Sequence, residues 1–245
     1  MTRSALSAAL AVACIGFAAT ASAQSLSRSA LTPGTQLQHS WTGPLIAQTI
    51  TQSTATTITA GSISCNAGSP GFLHTDNSYY RAFTLSAFPA LTQPQFRVDT
   101  INFGVETAND AAGAGQPLTI NLWRSSANPP TLASLTAVSS DNYTIPDSAS
   151  GTVFSANIAS QPVFMVATDI LVVEIFTPSG QAAGHSFFIG SNAAGQSGPS
   201  FIRAASCGVN DITDLAGIGF ANMHIVMSVS GNNQVPVTLQ SYEVQ

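Results

Sequence analysis

The residues able to do chemistry are few and scattered along the chain. Gly184-His185-Ser186-Phe187-Phe188 begins like the nucleophile elbow of a hydrolase, a sharp strand-to-helix turn that presents a serine. Its fifth position is Phe188, where that turn needs glycine, and Phe187 and Ile189 continue a strand pattern instead of a helix. No nucleophile is expected at Ser186. His39, His74, His185 and His224 stand singly, with no pair at helical metal-ligand spacing, so a hydrogen-bonded loop or strand-face imidazole is the plainer reading of each. Glu106 with Asp110, and Asp211 with Asp214, are the closest carboxylate pairs. Glycoside hydrolysis needs two carboxyl groups facing each other across a set gap, whereas loop carboxylates ordinarily cap turns or hold a structural calcium ion with backbone carbonyls. No catalytic residue is assigned, and that calcium is the one cofactor left open.

Two constellations carry more. In Leu171–Phe176 the strand period puts Glu174 on one face with Val172 and Phe176, and a buried carboxylate without a partner is expensive. Arg81 is its expected partner. The alternative is that Arg81 grips a ligand together with Tyr79 and Tyr80. Trp123 shares a strand face with Thr119 and Asn121, a flat ring beside an amide, which is how a sheet stacks on and hydrogen-bonds a sugar; the alternative is a ring that covers a sheet edge. Tyr79, Tyr80, Arg81 and Trp123 therefore form the candidate ligand-binding set.

Strands must position these groups. Ile101, Phe103 and Val105 alternate with Thr100, Asn102 and Gly104; Leu118, Ile120 and Leu122 alternate with Thr119, Asn121 and Trp123; Ile225, Met227 and Val229 repeat the pattern. Further strands are predicted at Ile46–Ile50, Tyr79–Leu85, Leu132–Val138, Thr152–Ile158, Ile170–Phe176, Ser186–Gly190 and Ser200–Ala204, bounded by Gly, Pro, Asn and Asp. The Ala108–Gly115 and Ser191–Gly195 segments read as loops. With no long amphipathic helix, the fold class is all-β, a two-sheet β-sandwich of jelly-roll-like topology.

Arg3, the apolar run Ala5–Thr20 and the small residues Ala21-Ser22-Ala23 read as a signal peptide over 1–23. A Ser/Thr-rich extended arm follows over 24–61, then the sandwich domain over 62–232 and a polar tail over 233–245 that has room for a last strand. Location is thus secreted, whether periplasmic or extracellular. Cys14 leaves with the leader, and Cys65 and Cys207 remain; an exported pair forms a disulfide, with two separate buried thiols as the alternative. Charged residues make up 7% of the chain and hydrophobic ones 44%, with eleven carboxylates against six arginines and no lysine. Dispersed arginines cannot neutralise a phosphate backbone, which excludes nucleic acid, and no apolar run of membrane-spanning length follows the leader. The composition suits neutral polysaccharide or another protein's surface.

Asn77–Phe83, Phe187–Gln196, Cys207-Gly208 and Ile218–Met227, taken together, resemble an exported bacterial β-sandwich accessory module found alone or beside secreted peptidase domains. The resemblance covers Cys65 to Gly231. It implies an accessory, non-catalytic β module and names no ligand. The function expected is a secreted binding or structural module, not an enzyme. The alternatives are a secreted hydrolase with catalytic groups drawn from separate loops, and a structural subunit that adds its N-terminal arm to a neighbour's sheet edge.

Overall fold

The computed structural model describes residues 45–234; the leader, the arm up to residue 44, His39 and the tail from residue 235 lie outside them. In chain order the strands are β1 (Ile46–Thr51), β2 (Asn77–Thr84), β3 (Gln95–Asp110), β4 (Gln116–Ser125), β5 (Leu135–Ile145), β6 (Thr152–Asn157) and β7 (Val163–Met165). They continue as β8 (Ile170–Thr177), β9 (His185–Ile189), β10 (Ser191–Asn192), β11 (Ser200–Ala204), β12 (Val209–Asp214), β13 (His224–Ile225) and β14 (Met227–Gln234). Only single 3₁₀ turns interrupt them, and the described residues hold no α-helix.

The first sheet runs β1-β14-β3-β6, with β7 and β9 also on β3, and the second runs β12-β11-β2-β8-β4-β5. If β1 to β6, β8 and β14 are counted as eight strands, the first sheet takes the first, eighth, third and sixth. The second takes the second, seventh, fourth and fifth. That is the double Greek key of a jelly roll, so the chain is an all-β sandwich as its alternation predicts. The β11–β12 hairpin widens the second sheet beyond β2.

Period-two alternation sends one face of each sheet into a common core. From the first sheet come Phe96, Phe103 and Val229, and from the second Phe83, Leu122 and Val173, all fully buried. Each such side chain contributes roughly 1.5–3 kcal/mol over its exposed state. In β3 the alternation changes phase, because Val98 pairs with Gly231 and Thr100 with Ser230, leaving Asp99 as an extra, bulged residue. Gly231 is required opposite the bulge, since a Cβ there would overlap the Arg97 carbonyl. A second close approach joins Gly190 to Gly104, whose backbone N–H and C=O meet at 2.7 Å where β3, β9 and β13 converge. A Cβ on either residue would collide with the other's backbone.

The second sheet also carries apolar groups on its outer face, where Tyr80, Ala82, Val172, Phe201 and Ile212 form a smaller cluster. The β4–β5 connection is tied back across this face by Leu132 N–H, which donates to Asp211 Oδ1 at 2.8 Å, and by Asn128 Nδ2, which donates to Thr84 Oγ1 at 3.0 Å. This explains why β2 and β8 are buried on both faces and read as near-continuous apolar runs.

Several boundaries differ from the sequence reading. β5 continues through the polar stretch Ser139–Ile145, β7 and β12 lie where no strand is predicted, β10 forms within the Ser191–Gly195 segment that reads as a loop, β3 runs on to Asp110, and β14 runs to Gln234. These are edge strands or strand ends, for which one solvated side removes the need for apolar alternation. β1 pairs with β14 of its own chain, from Ile46 opposite Asn233 to Thr51 opposite Ser228.

Cys65, before β2, is bonded to Cys207, in the turn between β11 and β12, with Cα atoms 5.9 Å apart and a sequence separation of 142. Closing so long a loop removes about 5 kcal/mol of unfolded-chain entropy at most. The paired change Cys65→Ala with Cys207→Ala is therefore expected to lower the unfolding free energy by about 2–5 kcal/mol, read from urea denaturation. An unchanged urea midpoint would show that the bridge does not constrain the unfolded chain.

Candidate functional site

Adjacent residues of β2 face opposite ways, and this separates the candidate set. Tyr79 and Arg81 point between the sheets and are fully buried. The Tyr79 hydroxyl donates to the Ile63 carbonyl at 3.1 Å, and burial pushes its pKa up. Arg81 donates from Nε to the Ile225 carbonyl at 3.1 Å and from Nη1 to the Gly198 carbonyl at 2.7 Å, while Nη2 reaches the same Ile225 oxygen. Burial brings its pKa down to about 10, which leaves it charged at neutral pH. The expected Arg81–Glu174 pair does not form, because the residue opposite Glu174 is Tyr80 and the guanidinium lies on the other side of the sheet. Neither Tyr79 nor Arg81 is available to a ligand. They are core groups, and Arg81 ties β13 and the Gly198 loop to the second sheet.

Tyr80 and Trp123 do share the outer face. Cross-strand register lays Phe201, Tyr80, Glu174, Asn121 and Ser140 side by side across five strands. Glu174, 7% exposed, accepts from the Tyr80 hydroxyl at 2.8 Å, from Asn121 Nδ2 at 3.0 Å and from Trp123 Nε1 at 3.0 Å. Among the described residues it has no cation within 4.0 Å. Three neutral donors hold the carboxylate, each such bond to a charged group being worth about 1.5–3 kcal/mol. Burial, and then the Glu174 charge, raise the Tyr80 pKa, so the phenol stays a donor. Trp123 has its one polar atom committed and its ring half-buried in a shallow groove of about 430 Å³, which Ser78, Leu132, Phe176 and Arg203 also line. Chemically the groove offers aromatic faces, the Asn121 carbonyl oxygen as acceptor and a guanidinium as donor. The strand period of Phe201–Arg203 puts Arg203 on this face, but its place beside Ser78 depends on β11 lying next to β2.

The other candidates do not assemble into a site. Ser186 and His185 are neighbours on β9 and face opposite sides of it, so the serine has no base at hand. Glu106 accepts the N–H groups of Gly61 and Ser62, and Asp214 that of Ala216; Asp211 accepts those of Leu132 and Ile212. Each carboxylate fastens a separate turn. Among the described residues no three His, Cys, Asp or Glu side chains converge as metal ligands. His224 Nδ1 accepts from the Gly195 N–H at 2.9 Å.

No protein-family model matches the chain, and no curated protein does. Among solved structures the clostridial cysteine protease Cwp84, after propeptide cleavage, is similar over 77% of this chain with a TM-score of 0.51 and 10% identity. The likeness is one of fold. This chain spans 40% of the length of that protein.

At one end of the sandwich His74 is wholly buried. Its Nδ1 lies 3.0 Å from the His185 carbonyl, and its Nε2 lies 3.0 Å from the Pro178 carbonyl and 3.2 Å from Gln116 Nε2. Desolvation by burial lowers its pKa. Nearby, Asp110 accepts the N–H groups of Ala112 and Gly115 and lies 3.1 Å from His185 Nε2; the Ala112 bond leads in lowering its pKa. In both cases the unfolded chain binds more protons, so stability rises with pH across each window. The melting temperature is expected to fall as pH drops below the unfolded imidazole value of about 6.5, and again below about 4 as pH falls through the depressed Asp110 value. In His74→Asn the first decline should vanish and the second remain. A flat profile from pH 7 to 5 in the parent would contradict the buried neutral ring.

Proposed function

We propose that the protein is an exported, non-catalytic module that holds polysaccharide on the outer face of its second sheet, at the groove around Trp123. One observation carries this: Glu174 takes the indole N–H, so the half-buried Trp123 ring lines the groove in a fixed orientation, with Asn121 beside it. A pre-positioned ring costs little entropy to engage, which is what stacking on a pyranose requires. The leader-like start and the Cys65–Cys207 bridge support export. The opposed faces of Ser186 and His185 disfavour the hydrolase reading. The pairing of β1 with its own β14 gives no support to a strand donated to a neighbour.

Affinity electrophoresis in gels cast with a β-glucan, a mannan or a uronate polymer tests the reading. At least one polymer should retard the protein, and Trp123→Ala should weaken that retardation by about tenfold or more, the loss of one aromatic hot spot. Val153→Ala, at an exposed position on the first sheet, should bind as the parent does, with thermal melting confirming that both variants fold. Retardation of Trp123→Ala equal to the parent's would move the site elsewhere, and no retardation by any polymer would overturn the proposal.

A further inference from the structure

The described residues hold four arginines, and three are committed. Arg81 is buried against carbonyls, Arg97 pairs with Asp99 at 2.8 Å, and Arg124 pairs with Asp169 at 2.9 Å while its guanidinium lies 4.8 Å from the Phe164 ring centre. Arg203 differs. Among the described residues its one hydrogen bond runs from Nε to the Asn210 carbonyl at 3.3 Å, and neither terminal nitrogen has a partner there. The sequence has no lysine, and Arg203 is the one cationic residue among those that line the groove.

Arg203 stands opposite Ser78 on β2, Ser78 stands opposite Phe176 on β8, and Trp123 closes the groove on β4. A cation thus sits at one end and a fixed indole at the other. We infer that the groove selects an acidic polysaccharide, with one sugar ring on Trp123 and the carboxylate of a uronate further along the same chain on the two terminal nitrogens of Arg203. Planar guanidinium and planar carboxylate match in a two-bond fork that a neutral hydroxyl cannot fill. Glu174 also lines the groove, but its oxygens are turned to three donors and 7% of its surface reaches solvent, so the carboxylate does not meet the ligand directly. The chain's net negative charge acts weakly beyond about 8 Å at physiological salt, so the local cation decides. The uncharged composition points to neutral ligands on average; one uncommitted arginine changes that at this groove.

The inference rests on the polysaccharide reading, and the test separates the two. Titration calorimetry would compare oligogalacturonate with the same oligomer fully methyl-esterified, which keeps the sugar and linkage and removes the charge. The acid form is expected to bind at least about tenfold more tightly, roughly 1.4 kcal/mol, with the gap shrinking as salt is raised. The gap should close in Arg203→Gln and be partly kept in Arg203→Lys, which holds the charge without the fork. Acid and ester binding equally, with both lost in Trp123→Ala, would overturn the carboxylate inference and leave polysaccharide binding standing. A neutral glucan binding where the uronate does not has the same meaning. Polyglutamate binding as tightly as the uronate, and independent of Trp123, would replace the sugar with an acidic peptide. Failure of every saccharide would remove both readings.

Discussion

A carboxylate buried on a sheet with no cation beside it holds its charge only if its lone pairs are filled. On the outer face of the second sheet that condition is met for Glu174 by a phenol, an amide and an indole, one from β2 and two from β4. The three bonds fix how these two strands lie against β8, because a one-residue slip would turn every donor to the other side. They also fix the indole plane. The groove is therefore a consequence of satisfying one buried charge.

The opposite face of the same sheet solves the same problem with the opposite sign. Arg81 is buried among core side chains and satisfied by carbonyl oxygens of Ile225 and Gly198. Two ions that would neutralise each other in water sit back to back, kept apart by one layer of backbone, and each is solvated by neutral dipoles. Replacing either by an apolar side chain would strand the dipoles aimed at it. The arrangement also gives the sandwich a specific geometry at its closing end, since β13 and the loop before β11 are held by a side chain from the middle of the far sheet.

Much of this was legible in the residues. Alternation along Arg97–Val105, Leu118–Trp123 and His224–Ser230 located buried faces that the structure repeats, and it put Glu174 on one face with Val172 and Phe176. The pairing drawn from it failed for a physical reason. Residue types suggest an opposite charge as the partner of a buried ion, whereas the partners here are backbone carbonyls and neutral donors. Strand adjacency was the other gap, since Tyr80 and Glu174 touch across 94 residues, and nothing local in either segment encodes that β2 lies beside β8. The edge strands β5 and β12 escaped because a solvated edge needs no apolar period. Arg203 escaped because its meaning comes from being the one arginine among the described residues left over once Arg81, Arg97 and Arg124 are committed.

The central claim is that the ring of Trp123 is the part of this face that meets ligand. Trp41→Phe leaves Trp123 as the single tryptophan of the chain, and its emission can then be followed while oligogalacturonate is added. The account predicts a saturable blue shift or quench that is absent with the bare monosaccharide buffer control. Emission that stays constant up to concentrations at which calorimetry records bound sugar would contradict it.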